Sequence, residues 1–413
     1  MRTAIFFLLL ISTAAMRAFS QIPATPTQCP VQVIANDKLV SATQWYEVAH
    51  HVDPPSVVEN PEQWPYFAWS DTPLGVVRAL NQDGDSDDYL FFGSDGGNHP
   101  FDGSLTQRAG SITVSRGTLD HPLGQPAGDP TLPPHEFLLP TSANLPNTMD
   151  YVGGGPVYRV PAGEPGAGTL LIVYHSEQPA NPFWSWLGLA KSVDEGTTWQ
   201  DLGLILSGPQ PYTAEGALDI GDGNLVPYTD PVTSQKYFYI FFPEHCWINS
   251  TTFCSDFAYL AVARARYEEV LTTALVGGPT SAHGLFHKYF NGHWLQPGMG
   301  GKVSEVFPTV TGETDGDPQV VWSAYRNRFV AIMDNSQYVA YGESTDGLHW
   351  PAMQVILGTT PETPVYAYAN AIGLGDDPSV LGQTFYSFYT EWPTGVSWEP
   401  ATIRRLTIKT DCP

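Results

Sequence analysis

Basic residues are scarce in this 413-residue chain: 18 Lys and Arg stand against 42 Asp and Glu, a formal charge of −24. A surface of that sign repels phosphate backbones and anionic headgroups, which excludes nucleic acid and membranes as partners and leaves a soluble monomer as the expectation. Charge of either sign is sparse too, at 15%, and no long amphipathic helix is readable. Glu268 to Leu275 is one short candidate. No apolar run reaches membrane length. The stretch Ala4 to Ser12 is too brief to span a bilayer, and with Arg2 ahead of it and Ala18 and Ser20 behind, it reads as a signal peptide over 1–20. The mature chain, 21–413, is then expected to be secreted and extracellular, and to form one domain.

Cysteine is nearly absent, and its four copies form an even number in an oxidising compartment. Cys246 and Cys254 lie close enough in sequence to close one loop, which leaves Cys29 and Cys412 to tie the two ends together. Asn249-Ser250-Thr251 is a glycosylation sequon in a eukaryotic host.

What the chain does have is turns and rings: 39 Gly, 37 Pro and 13% aromatic residues, a composition that suits a large all-β domain. One pattern recurs five times, an aromatic-rich strand running into a polar or acidic end. The copies are Tyr89 to Asp95, Leu170 to Glu177, Tyr237 to Glu244, Phe329 to Asp334 and Phe385 to Glu391. Each is preceded by a strand (Gly75–Leu80, Pro156–Val160, Asn224–Tyr228, Val320–Ser323, Ala367–Gly373) and followed by a shorter one (Ser111–Ser115, Leu187–Lys191, Tyr259–Ala263, Val339–Glu343, Ile403–Ile408). With a fourth strand such as Phe286–Phe290, these A, B, C and D units predict a five-bladed β-propeller with blades over 59–413. The last blade runs out of chain before its D strand. An N-terminal closing segment over 21–58, with its strand within Val31 to Val52, would supply it, and a Cys29–Cys412 bridge would lock the ring. Ser192-Val-Asp194-Glu-Gly196-Thr-Thr-Trp199, and a shorter copy from Ser344 to Trp350, match the Asp-box of propeller C–D turns.

In such a blade the start of A and the end of B lie on one face. Before the A strands stand Asp71, Asp150, Glu215 with Asp219, and Asp315 with Asp317; at the B ends stand Asp95, Glu177, Glu244, Asp334 and Glu391. Carboxylates converging on one mouth push each other's proton affinities apart, as acid/base chemistry requires. The B–C loops of that face carry Trp184, Trp247 and Trp392. Aromatic platforms beside carboxylates describe a sugar site, with the B-end acids binding hydroxyls. The run Asp83 to Asp88 has a calcium-loop rhythm but lies on the A–B side and lacks the distal Glu, so a polar turn is the reading. His50-His51 and His283, His287 and His293 have no metal spacing; no cofactor is expected, structural calcium being the one option left open.

At this point the chain resembles the five-bladed propeller glycoside hydrolases, the arabinanase, xylosidase and invertase group. The resemblance implies a base Asp in blade one, a modulating Asp in blade two and an acid Glu in blade three, which by position are Asp71, Asp150 and Glu215. Glu215-Gly216 is similar to the group's Glu-Gly-Pro, with Ala217 in place of proline; Asp95 or Asp219 are alternative carboxylates. A glycoside hydrolase acting on poly- or oligosaccharide is the function implied. Two others stay open: a non-catalytic, lectin-like propeller, and a sialidase-type enzyme suggested by Tyr158-Arg159-Val160-Pro161, although Arg159 falls towards the wrong end of its strand.

Overall fold

The computed structural model describes residues 29–41, 72–80, 88–94, 112–120, 122, 151–178, 184–208, 217–249, 252–253, 260–307, 317–334, 337–358, 364–392 and 402–412. Strand β1 is Val31–Ser41. Blade one follows with β2 (Gly75–Arg78), β3 (Tyr89–Ser94) and β4 (Ile112–Gly117), a three-stranded antiparallel meander among the described residues. Blade two is β5 (Tyr151–Arg159), β6 (Leu170–Gln178), β7 (Trp184–Ser192) and β8 (Gln200–Ser207). A short strand, β9 (Ala217–Ile220), precedes blade three. Blade three then runs β10 (Asn224–Thr229), β11 (Lys236–Asn249), β12 (Thr252–Phe253), β13 (Leu260–Arg266), helix α1 (Tyr267–Val276), β14 (His287–Phe290) and β15 (His293–Pro297). Blade four is β16 (Asp317–Ser323), β17 (Arg328–Asp334), β18 (Val339–Ser344) and β19 (Gln354–Leu357); β20 (Val365–Ala367), β21 (Ile372–Gly373), β22 (Val380–Leu381), β23 (Thr384–Trp392) and β24 (Thr402–Thr410) complete the chain.

Five antiparallel sheets stand in a ring, the five-bladed propeller expected from the repeat. The B strands are apolar without a break because each is buried on both faces. In β3, Leu90 and Phe92 pack towards blade two, while Tyr89 and Phe91 pack towards blade five. Period-two alternation therefore feeds two cores from one strand. The same holds round the ring, giving one hydrophobic cluster at each of the five seams. Helix α1 buries Tyr267, Val270, Leu271 and Ala274 in the seam between blades two and three, which is why so short a helix persists.

Closure is as expected. β1 pairs antiparallel with β24, from Val31 opposite Thr410 to Ser41 opposite Thr402, and so acts as the outer strand of blade five. Cys29 and Cys412 form a disulfide beside that pairing. The Cys246–Cys254 pairing, residues 1–28 and the Asn249 side chain lie outside the described residues.

Three local features depart from the expected strands. β5 starts earlier than expected, at Tyr151, and carries a bulge between Gly154 and Val157. β11 is longer than expected, continuing past Glu244 so that β9 pairs with its far half. The expected continuous A5 strand, Ala367–Gly373, is broken into β20 and β21. At the break Tyr368 takes φ 60°. The amide of Ala369 donates to Asp334 Oδ2 of blade four at 2.8 Å in place of a ladder bond, while Asn370 keeps its backbone N–H on the Phe388 carbonyl and sends its side-chain amide to Leu74 of blade one.

The C–D turns of blades two and four share a geometry. Gly196, at φ 83°, and Gly347, at φ 73°, each donate their amide to the leading serine (Ser192 or Ser344) at 2.9 Å, while Trp199 and Trp350 return an indole N–H to the glycine carbonyl at 3.1 Å.

Because the bridge joins residues 383 apart, the chain-entropy argument gives it substantial weight. Cys29→Ser is expected to lower stability by about 2–5 kcal/mol and to reduce the loss of melting temperature that reductant causes in the parent. Melting curves of both proteins with and without reductant check this.

Candidate functional site

The inner strands of all five blades converge on a small central cavity lined by Val76, Val157, Leu225, Val320 and Ile372 among others. Its walls are mainly apolar, with Asn224 and Ser379 the polar exceptions. Chemistry is therefore confined to its ends. The register fixes which groups share an end: Tyr151 opposes Glu177, Asp317 opposes Asp334, and Tyr366 opposes Glu391, so A starts and B ends do meet on one face.

Three carboxylates and a histidine gather there. Glu177 is the last residue but one of β6, Asp334 ends β17, and Asp222 stands just ahead of β10, whose first residue, Asn224, lines the cavity. Between the first and last of blades two and three sits His175: its Nε2 is 3.2 Å from Glu177 Oε1, and its Nδ1 is 3.6 Å from Asp222 Oδ1. Burial by itself would push the imidazole's proton affinity down, but the Asp222 and Glu177 carboxylates outweigh it and hold the pKa well above the ordinary histidine value. Asp334 goes the opposite way for a carboxyl. Desolvation first, with the Asp222 charge added, raises it to about 7 against the hydrogen bond from Ala369 N–H. Among the described residues no group of three or more His, Cys, Asp or Glu is arranged to hold a metal ion.

Other expected groups are engaged elsewhere. Glu244 is fully buried and pairs with Lys288 at 2.6 Å; the ammonium also donates to the carbonyls of Ser207 and Gly301. Desolvation raises the Glu244 pKa and lowers that of Lys288, each opposed by the partner's charge. Glu391 pairs with Arg404 at 3.0 Å across the β23–β24 ladder. Trp184 packs its ring edge-on to Trp186 at the start of β7, partly exposed. Asp219, Trp247 and Trp392 have described backbone only: Asp219 opposes His245, Trp247 opposes Ala217 and Phe253, and Trp392 opposes Val365. Asp71, Asp95, Asp150 and Glu215 lie outside the described residues. Arg159 is held at the opposite end of β5 by Glu195, at 2.6 and 2.8 Å, and by the carbonyls of Arg78 and Gly168.

His175 and Asp222 were not singled out from sequence. For His175 a signal existed: His175-Ser176-Glu177 places histidine and acid on the same side of one strand. Asp222 had none, since four residues, Asp219 to Asp222, offered two equally placed carboxylates.

The chain is thus a five-bladed β-propeller with a carboxylate–histidine cluster at one mouth. No family model and no curated protein matches it. Among solved structures it is similar to Zg3597, a family 117 glycoside hydrolase of Zobellia galactanivorans, at 9% identity over 92% of this chain and 90% of that one, with a TM-score of 0.49. An N-acetylgalactosamine deacetylase from F. plautii is 10% identical over 84% and 91% of the two chains, with a TM-score of 0.46. The GH93 alpha-L-arabinofuranosidase of Fusarium graminearum is 12% identical over 91% and 98%, with a TM-score of 0.41. Identities and scores this low carry no inference about activity.

Two outcomes are expected of these buried charges. Lys288→Met should cost about 3–5 kcal/mol by stranding Glu244, while the double change with Glu244→Leu should recover most of it; denaturant melts of the three proteins test the pair. Asp334 binds its proton more tightly folded than unfolded, so its contribution to stability is full below pH 3.8 and lost as the pH rises through about 7. Asp334→Asn should therefore gain on the parent in melting temperature between pH 4 and 8, and a constant difference across that range would contradict the assignment.

Proposed function

We propose that this chain is a secreted glycoside hydrolase that cleaves poly- or oligosaccharide by carboxylate acid/base catalysis at the mouth of its central channel. The observation that carries the reading is the gathering of Glu177, Asp222 and Asp334, from three successive blades, around one mouth of an apolar-walled cavity. Glycosidic cleavage needs one carboxyl group to protonate the leaving oxygen and one carboxylate to activate water or attack. Surroundings that separate the proton affinities of neighbouring carboxyls meet that need, and the raised affinity of Asp334 beside Asp222 supports a mouth of that character.

Asp71, Asp150, Glu215 and Asp219 remain the proposed catalytic carboxylates. Asp150 directly precedes Tyr151, the register partner of Glu177, and Asp71 directly precedes Thr72, which hydrogen-bonds to blade two. Asp95, Glu177 and Asp334 are proposed to bind sugar hydroxyls, with Trp184, Trp247 and Trp392 as platforms. Export through the segment 1–20 fits a chain whose ends are joined by a disulfide, since such bonds persist in oxidising compartments. Among the described residues no helix is long and apolar enough to cross a membrane.

Incubation with a panel of neutral polysaccharides, furanoside-rich ones included, tests the proposal through released reducing sugar. The parent is expected to be active on at least one glycan, and Glu215→Gln to lose about 10²–10⁴-fold. Full activity in that variant would remove Glu215 as the acid. Glycan retention without hydrolysis by the parent would replace the enzyme with a lectin-like propeller.

A further inference from the structure

His175 lies on the side of β6 that faces blade three, the side that also carries Leu171 and Val173 into the seam between blades two and three. Glu177, two residues on, shares that side by the strand's period. Asp222 arrives from blade three. His175 and Asp222 are each 7% exposed, with carboxylate oxygens at 3.2 Å from one ring nitrogen and 3.6 Å from the other. Both contacts lie at ion-pair distance, and only the imidazolium, being positively charged, is attracted by both carboxylates.

We infer that His175 is the positioning residue of this site: as an imidazolium it clamps Glu177 of blade two and Asp222 of blade three against each other at the channel mouth. The clamp's effect on turnover rests on the hydrolase reading above, whereas its charge state does not. A carboxylate held against a buried cation keeps one orientation towards a bound glycan, and misplacement of about 1 Å is enough to slow chemistry about a hundredfold. Among the described residues, the charged groups acting on the ring are Asp222 from the connection before β10 and Glu177 from β6, both acidic; Asp334 of blade four acts in turn on Asp222. The ring accordingly keeps its second proton well above the pH at which an ordinary histidine loses it, and the clamp opens only when that proton leaves.

The test is the imidazole titration of the full-length protein, followed by ¹⁵N-histidine NMR from pH 5 to 10 and assigned with His175→Gln. His175 is expected to stay doubly protonated well above the usual value of about 6.5, and Asp222→Asn to lower its midpoint by about one unit or more. An ordinary midpoint, or one that Asp222→Asn leaves in place, overturns the clamp. On whichever glycan the parent hydrolyses, His175→Gln should lower kcat roughly 10- to 100-fold, leave KM within about threefold, and abolish the alkaline limb of the pH profile. An unchanged profile in that variant would show that the histidine only fills space. A parent that hydrolyses no glycan while His175 titrates high would sink the hydrolase reading and leave the clamp standing.

Discussion

The ring closes because its first strand is borrowed from the other end of the chain. Blade five has an outer edge only when β1 lies along β24, and the Cys29–Cys412 bridge pins that pairing where the two ends meet. Closure matters more in a propeller than in a sandwich, because each blade buries both its faces against neighbours. An open ring would expose two half-seams at once, in addition to the unpaired edge of β24. The five clusters at the seams are therefore one interdependent core, and the bond between the termini sets its integrity.

Apolar contact alone does not fix how blades are rotated against one another. At the mouth side each seam also carries a side-chain-to-backbone hydrogen bond. Thr72 reaches Gly154 between blades one and two, and Ser185 exchanges bonds with Ile220 between two and three. Asn224 spans to Val320 on both its amide atoms, Asp334 accepts from Ala369, and Asn370 donates to Leu74. Directional bonds at all five seams pin the angular setting that dispersion leaves loose. The same collar surrounds the candidate site, so the residues that hold the mouth and those that could act in it are neighbours, and Asp334 belongs to both sets.

This overlap explains why acids at equivalent places in the repeat have diverged. Glu244 is spent on Lys288 beneath the surface, where the pair joins blade three to the end of blade two. Glu391 is tied to Arg404. Glu177 and Asp334 stay with the mouth because the groups that meet them, His175 and the Ala369 amide, belong to it. Sequence position could not separate these fates, since each depends on what a different blade brings across the seam.

The order and polarity of the strands, the borrowed outer strand, the terminal disulfide and the short helix could all be read from the residues, because each follows from a local rule: alternation, turn chemistry, or the pairing of cysteines left over. The break in the inner strand of blade five and the β9 pairing could not, since they answer to bonds made with other blades. Of the cluster, Glu177 and Asp334 were legible as strand ends. His175 and Asp222 became visible only when two blades met, because a side chain's proton affinity is set by charges a few ångströms away in space, whatever their distance along the chain. Alternation and turn chemistry along the chain settle that five sheets are buried on both faces and which of their ends share a side; contacts across the seams settle which acids on that side are taken up in ion pairs and which stay with the mouth.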